Sequence, residues 1–126
     1  MQRINAVLID LDGTLFKRAT DHPLSLLQVY QPINFEVLEL LTDLQRYSFL
    51  IAFYPICPRA EYAFKQRLLL ENLTVEKLII SPIEKYDDVK LDSYYLLSQK
   101  YRIVNYIDEK EDSPWSNLDS VHRLHL

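Results

Sequence analysis

The stretch Ala6-Val7-Leu8-Ile9-Asp10-Leu11-Asp12-Gly13-Thr14-Leu15 decides how the rest of the chain is read. Four apolar residues in a row, with no polar alternation, are the pattern of a strand buried on both faces, the habit of parallel sheets. The run stops at a carboxylate. Gly13 follows shortly, and it is the only glycine among 126 residues, where average usage of about 7% would give roughly nine. Asp10 and Asp12 stand two apart at a strand end, so both can project the same way. Gly13 permits a sharp turn after them and lets backbone N–H groups approach an anion. Thr14 adds a hydroxyl donor.

Working outward, segments of two kinds alternate. Residues 16–32 hold two prolines and no clear period, and read as a loop or flap. Asn34 then caps a helix with Val37, Leu38, Leu41 and Leu44 at helical spacing. Residues 49–54 form a second buried strand, after which Pro55 and Pro58 break the chain. A helix follows from about Arg59 to Glu71, with Tyr62, Leu69 and their neighbours on one face. Residues 78–80 make a third strand ending at Ser81-Pro82. The next helix covers roughly Val89 to Tyr101 and carries Tyr94, Tyr95 and Tyr101. Residues 103–107 are the fourth strand, a short helix is expected after Pro114, and residues 121–124 are a candidate fifth strand. Strands alternating with helices at this spacing predict βαβ units and a parallel sheet, whose ligands sit at the carboxyl ends of the strands.

Bulk composition bounds the function. At 48% hydrophobic and 25% charged residues with a net charge of −4, the chain reads as one ordered globular domain over residues 1–126. Its mild acidity argues against a DNA-coating protein. Uncharged runs such as Tyr47 to Pro58 are too short to span a bilayer. The N-terminus lacks a signal-peptide pattern, and the lone Cys57 excludes an internal disulfide. A cytoplasmic setting is the resulting expectation.

The fourth strand also ends in acid: Asp108, then Glu109, Glu111 and Asp112. If the first and fourth strands are neighbours, Asp10, Asp12 and Asp108 converge at one sheet edge. Three uncompensated anions would repel, and a hard divalent cation such as Mg²⁺ would relieve that. The constellation suits phosphoryl chemistry. On the bland side, an acidic run such as 109–112 is commonly a solvated loop. Arg59 can be a helix-end surface residue, Cys57 a packed small residue, and His22, His122 and His125 show no metal spacing.

The segment Asp10-Leu11-Asp12-Gly13-Thr14-Leu15, following an apolar strand, resembles motif I of the haloacid dehalogenase superfamily of aspartate-nucleophile phosphohydrolases. Ile107-Asp108-Glu109-Lys110-Glu111-Asp112 resembles the superfamily's acidic motif IV, with a second acid four residues after the first. Lys90, 18 positions before Asp108, resembles the motif III lysine, with Lys85 as the fallback. The stretch from Asp87 to Lys110 is similar to the phosphatase domain of phage-type polynucleotide kinase-phosphatases. The resemblance covers residues 6 to about 112. It implies a three-layer α/β/α sandwich with a Rossmann-like parallel sheet in the order 5-4-1-2-3, and no cap domain, since neither inter-motif gap has room for one. Asp10 would be the nucleophile forming an aspartyl-phosphate, and Asp12 the acid and base. Asp10, the Asp12 carbonyl and Asp108 would hold Mg²⁺. Lys90 would offset negative charge, and Gly13 and Thr14 would bind the phosphate.

Two departures stand out. The superfamily expects Ser or Thr at the end of the second strand, where this chain reads Ala52-Phe53-Tyr54-Pro55; Tyr54 or Arg59 are the candidate substitutes. Reading Ser81 as that motif is an alternative register. The usual glycine before the motif IV aspartate is Ile107. The expected function is a Mg²⁺-dependent phosphatase acting on a nucleotide or polynucleotide phosphate end, with a homo-oligomer left open. The alternatives are a weakened binding or regulatory protein on the same scaffold, and a receiver-like phosphotransfer domain.

Overall fold

A computed structural model describes residues 3–16, 32–55 and 61–125. The 16–32 flap, apart from its ends, and the positions of His22, Cys57 and Arg59 lie outside the described residues. The elements run β1 (Ile4–Asp10), α1 (Phe35–Leu44), β2 (Phe49–Tyr54), α2 (Glu61–Leu70), β3 (Val75–Ile80), α3 (Tyr86–Leu97), β4 (Tyr101–Ile107) and β5 (His122–Arg123). A 3₁₀ turn at Ile83–Lys85 leads into α3, and another at Pro114–Asn117 stands where a short helix is expected.

All five strands are parallel, in the order β3-β2-β1-β4-β5. This is the order implied by the sequence resemblance. The central strand β1 pairs with β2 through Asp10↔Phe53 and with β4 through Ile9↔Ile107. Thus Asp10 and Asp108 lie side by side at one edge. Because β2 and not β3 borders β1, the end of β2 stands beside Asp10, and Ser81 of the alternative register lies just past the outer strand β3.

Strand alternation sorts the core into two layers. Val7, Ile9, Leu11, Leu50, Ala52 and Ile107 face one way, against Val37 and Leu41 of α1 and Phe64 and Leu68 of α2. Ala6, Leu8, Ile51, Phe53 and Ile103 face the other, against Tyr86, Tyr94 and Leu97 of α3 and against Trp115. The result is a three-layer α/β/α sandwich. Leu8, Ile9, Ile51, Ala52 and Phe53 are wholly buried, and each large apolar side chain so placed stabilises by about 1.5–3 kcal/mol.

Local signals explain the helix ends. Asn34 caps α1 as read from sequence, its side-chain oxygen accepting from the Glu36 and Val37 amides. At the end of α2 the left-handed residue is Asn72, with φ of 60°. Leu73 N–H closes onto the Leu68 carbonyl at 3.0 Å, and Asn72 N–H onto that of Leu69 at 2.9 Å. Asparagine tolerates this conformation best after glycine, so the near-absence of glycine is accommodated here by amide side-chain chemistry.

Three expectations need correction. Tyr62 and Leu69 do share a face of α2, but it is exposed; the buried face is Phe64 and Leu68. α3 begins at Tyr86, earlier than Val89, because the 3₁₀ turn supplies its first bend. Tyr101 is not on that helix: the chain turns at residues 98–100 and Tyr101 opens β4. Among the described residues, no helix is long and apolar enough to cross a membrane.

Candidate active site

The carboxyl edge of the sheet is where the buried charge lies. Asp10 and Asp108 are each 2% exposed and Lys90 is 1% exposed. Lys90 Nζ donates to Asp108 Oδ2 at 2.7 Å and to Asp10 Oδ2 at 3.1 Å. It reaches them from the second turn of α3. Its ammonium also lies 4.9 Å from the Tyr86 ring centroid and 4.6 Å from that of Trp115, where cation–π attraction adds to the ion pairs. Trp115 Nε1–H donates to the Lys90 main-chain carbonyl at 3.0 Å, fastening the helix turn that carries the lysine. Lys85 is exposed, so the lysine at this site is Lys90.

Asp10 has a second donor that sequence reasoning missed. The Tyr86 hydroxyl donates to Asp10 Oδ1 at 2.8 Å, and the Asp12 amide to the same oxygen at 3.2 Å. A four-residue spacing from Tyr86 to Lys90, read on a helix, is the signal that points to it. Asp108 is steadied in a similar way. Its Oδ1 accepts from the Lys110 amide at 3.0 Å, and the buried Ser113 hydroxyl helps hold the carboxyl ionised. Arg123 of β5 donates from Nε to the Asp108 carbonyl at 3.1 Å and from Nη2 to the Glu109 carbonyl at 3.0 Å. The outermost, two-residue strand thus holds the turn after β4.

One ammonium serves two carboxylates, yet they respond oppositely. Burial raises the Asp10 carboxyl to about 7, against the pull of Lys90 and with help from repulsion by Asp108. Burial also opposes ionisation of Asp108, but the Lys90 charge and the donors from Lys110 and Ser113 outweigh it and hold that carboxyl below its usual range. Burial works against the Lys90 charge, and the two carboxylates more than offset it, so its pKa rises. Burial and the neighbouring Asp10 charge raise the Tyr86 phenol well above its usual range.

The loop after β1 departs from expectation. Gly13 has φ of 77°, the left-handed region open to glycine. A Cβ at this position would collide with the Glu109 carboxylate. Both facts demand glycine. Its amide, expected to face an anion, instead donates to the Phe16 carbonyl at 2.8 Å, and the Thr14 and Phe16 amides both donate to the Leu11 carbonyl. Thr14 is buried and its Oγ1 accepts from the Glu109 amide at 3.2 Å, tying the first loop to the turn after β4.

The auxiliary candidates sort out as follows. Asp112, expected as the second acid, is exposed, and Ser113 beside it is the residue turned inward. Glu109 covers Gly13. Tyr54, offered as a phosphate donor, is wholly buried, with its ring 4.3 Å from Phe64 and 6.0 Å from Phe16 by centroid. Alternation places it with the α1–α2 layer, whereas Asp10 and Lys90 belong to the α3 layer. The three-carboxylate cluster is also revised: among the described residues no three His, Cys, Asp or Glu side chains gather for a metal. Asp10 and Asp108 are linked through Lys90, and Asp12 is buried beside them with its amide on Asp10 Oδ1. The hard oxygens of Asp10 and Asp108 share one positive charge between two negative ones, a donor set that suits Mg²⁺, which is commonly held by one or two carboxylates with the rest of its shell from water and phosphate. Grooves lined by Leu68, Leu73 and Leu78 and by Ile4, Tyr47 and Phe49 lie elsewhere.

No protein-family model matches the chain, and no curated protein matches it in sequence. Solved structures do match its fold. A chain of the Pnkp1/Rnl/Hen1 complex superposes with a TM-score of 0.77 at 16% identity, over all of this chain and 47% of the other. A chain of the Pnkp1/Rnl/Hen1 RNA repair complex gives a TM-score of 0.77 at 16% identity, over 98% of this chain and 42% of the other. The likeness is one of fold, and this chain spans less than half the length of the chains it matches.

Proposed function

We propose that the chain is a Mg²⁺-dependent phosphomonoester hydrolase of the haloacid dehalogenase type, acting on the phosphate end of a nucleotide or polynucleotide. The observation that carries the reading is the Asp10–Lys90–Asp108 triad, buried at the carboxyl edge between β1 and β4. The motif I resemblance supports the chemistry. The fold shared with chains of an RNA repair complex supports the substrate class, by analogy of fold.

In this reading a carboxylate oxygen of Asp10 attacks phosphorus and the ester oxygen leaves with a proton from Asp12. The aspartyl-phosphate is then hydrolysed by a water that Asp12 deprotonates, which releases phosphate and restores Asp10. Lys90 favours the ionised form of Asp10 against the pull of burial and offsets the charge that gathers on the phosphoryl oxygens. Mg²⁺ held by Asp10, the Asp12 carbonyl and Asp108 would neutralise phosphoryl charge when bound.

One observation favours a second reading. The end of β2 supplies Phe53 and Pro55 but no Ser or Thr, and Tyr54 is packed in the opposite layer. A binding or regulatory protein on a weakened phosphatase scaffold would look the same there.

A panel of nucleoside monophosphates, 5′- and 3′-phosphorylated oligonucleotides and an aryl phosphate, assayed with Mg²⁺, separates the two. The phosphatase reading expects phosphate release that Asp10→Asn lowers by at least about a thousandfold, with the circular dichroism spectrum unchanged. Absence of wild-type turnover on every probe, or full activity in Asp10→Asn, overturns it.

A further inference from the structure

We infer that Tyr86 is a positioning residue for Asp10, its hydroxyl fixing the orientation of the carboxylate that attacks phosphorus. The inference rests on the phosphatase reading and adds a residue outside the motifs that carry it.

The two oxygens of Asp10 stand in different surroundings. Oδ2 accepts from Lys90 at 3.1 Å, and Oδ1 accepts from the Tyr86 hydroxyl at 2.8 Å and the Asp12 amide at 3.2 Å. Lys90 is a poor choice for setting the carboxylate plane by itself. Its ammonium is a point charge on a flexible stem, and it sits nearer Asp108, at 2.7 Å. Tyr86 has the opposite character. Its ring is 8% exposed and packed in the α3-side core, so its single O–H is delivered from a rigid plane. Tyr86 and Lys90 stand four apart on α3, so one helix face presents both donors, and the lysine's position over the tyrosine ring braces the pair.

Attack on phosphorus needs the carboxylate oxygen in line with the leaving group. Small misplacement of a reacting group costs rate far more than it costs binding. Short donors on both oxygens restrict the carboxylate's swing; without the Tyr86 hydroxyl, Oδ1 keeps only the longer Asp12 amide contact at 3.2 Å. A bland account is that the carboxylate only satisfies a buried phenol. The two accounts differ in kinetics.

The test compares wild type, Asp10→Asn, Tyr86→Phe and a chain with 4-aminophenylalanine at position 86, on the same phosphate panel with Mg²⁺. Tyr86→Phe keeps the ring and its place over Lys90 and removes only the donor. It is expected to lower kcat about tenfold to a hundredfold, with KM and inhibition by inorganic phosphate within about a factor of two of wild type. The 4-amino ring restores an N–H donor at the same height and is expected to recover most of the lost rate. Unchanged kcat in Tyr86→Phe, a rise in KM alone, or no recovery with the 4-amino ring each overturns the role. Should Tyr86→Phe fail to fold, the 4-amino chain decides alone: wild-type melting with a lost kcat overturns the role, and near-wild-type kcat supports it. Wild type without turnover overturns the phosphatase reading and this role together. Wild-type turnover lost in Asp10→Asn and untouched in Tyr86→Phe overturns the role only.

Discussion

Against α1 and α2 the sheet presents Val7, Ile9, Leu11, Leu50, Ala52 and Ile107, and the helices answer with Val37, Leu41 and Leu68; a small aromatic group of Phe16, Tyr54 and Phe64 closes one end. Against α3 it presents Tyr101 and Tyr106 of β4 and meets Tyr86, Tyr94 and Trp115. The second layer is as dry as the first but carries polar handles. Tyr86 bonds to Asp10, Tyr94 to Ser120, Tyr101 to Glu76, and the Trp115 indole to the Lys90 carbonyl. An aliphatic layer cannot shelter a buried ion, because it offers no hydrogen bonds to replace those of water. An aromatic layer with hydroxyl and indole donors can. The division teaches that the side of the sheet that holds the charge is separate from the side whose burial is mainly aliphatic.

Three experiments can break that division. The largest effect is expected from Lys90→Met. It leaves Asp10 and Asp108 buried without their shared cation, and loss of one partner from a buried ion pair costs about 3 kcal/mol or more. Urea unfolding at pH 8 should show this, with partial recovery as the carboxylates protonate toward pH 5. Phosphate release should fall by at least about a hundredfold. Leu41→Ala, in the other layer, is expected to cost about 2–4 kcal/mol through a cavity while kcat changes by less than about a factor of two. A large kcat loss in Leu41→Ala would show that the layers are not separable.

The smallest effect sharpens the sign of the charged layer's contribution. In the absence of metal, Asp10 holds its proton to about pH 7 in the folded chain, against 3.8 for the free group. Between those values the native state binds a proton that the unfolded chain has lost, so this group's contribution to stability falls as pH rises. Asp10→Asn removes the penalty. In EDTA the variant should melt a few degrees above wild type at pH 8 (about 1 kcal/mol), and the gap should close toward pH 5. A variant that melts lower at pH 8 would mean that pairing with Lys90 outweighs burial.

Much of this was legible in the sequence because it depends on short-range pattern. The 6–9 run had to be a buried strand, and β1 ends at Asp10 as read. The second strand is readable at the bounds it has, since a run such as Phe49–Tyr54 followed by proline leaves few choices. Asp10, Lys90 and Asp108 are each legible in the sequence, and the structure brings them within hydrogen-bond reach. What was hidden depends on where helices start and which way side chains alternate. Starting α3 at Val89 left Tyr86 in a loop, where its four-residue spacing to Lys90 carries no meaning. Tyr54 looked available as a donor because its direction follows from strand register. Asp112 fitted a motif offset, but the turn after β4 carries it outward and brings in Ser113. The Gly13 loop was found by composition, whereas the commitment of its amides to Phe16 and Leu11 needed the turn itself.

Trp115 is the only tryptophan in the chain. It is fully buried, its indole fastened to the turn that carries Lys90 and its ring against the lysine's charge. An indole's emission responds to a nearby charge, and here that charge belongs to the triad. The protein therefore carries its own optical probe, placed by the fold at the site and with no second indole to dilute it.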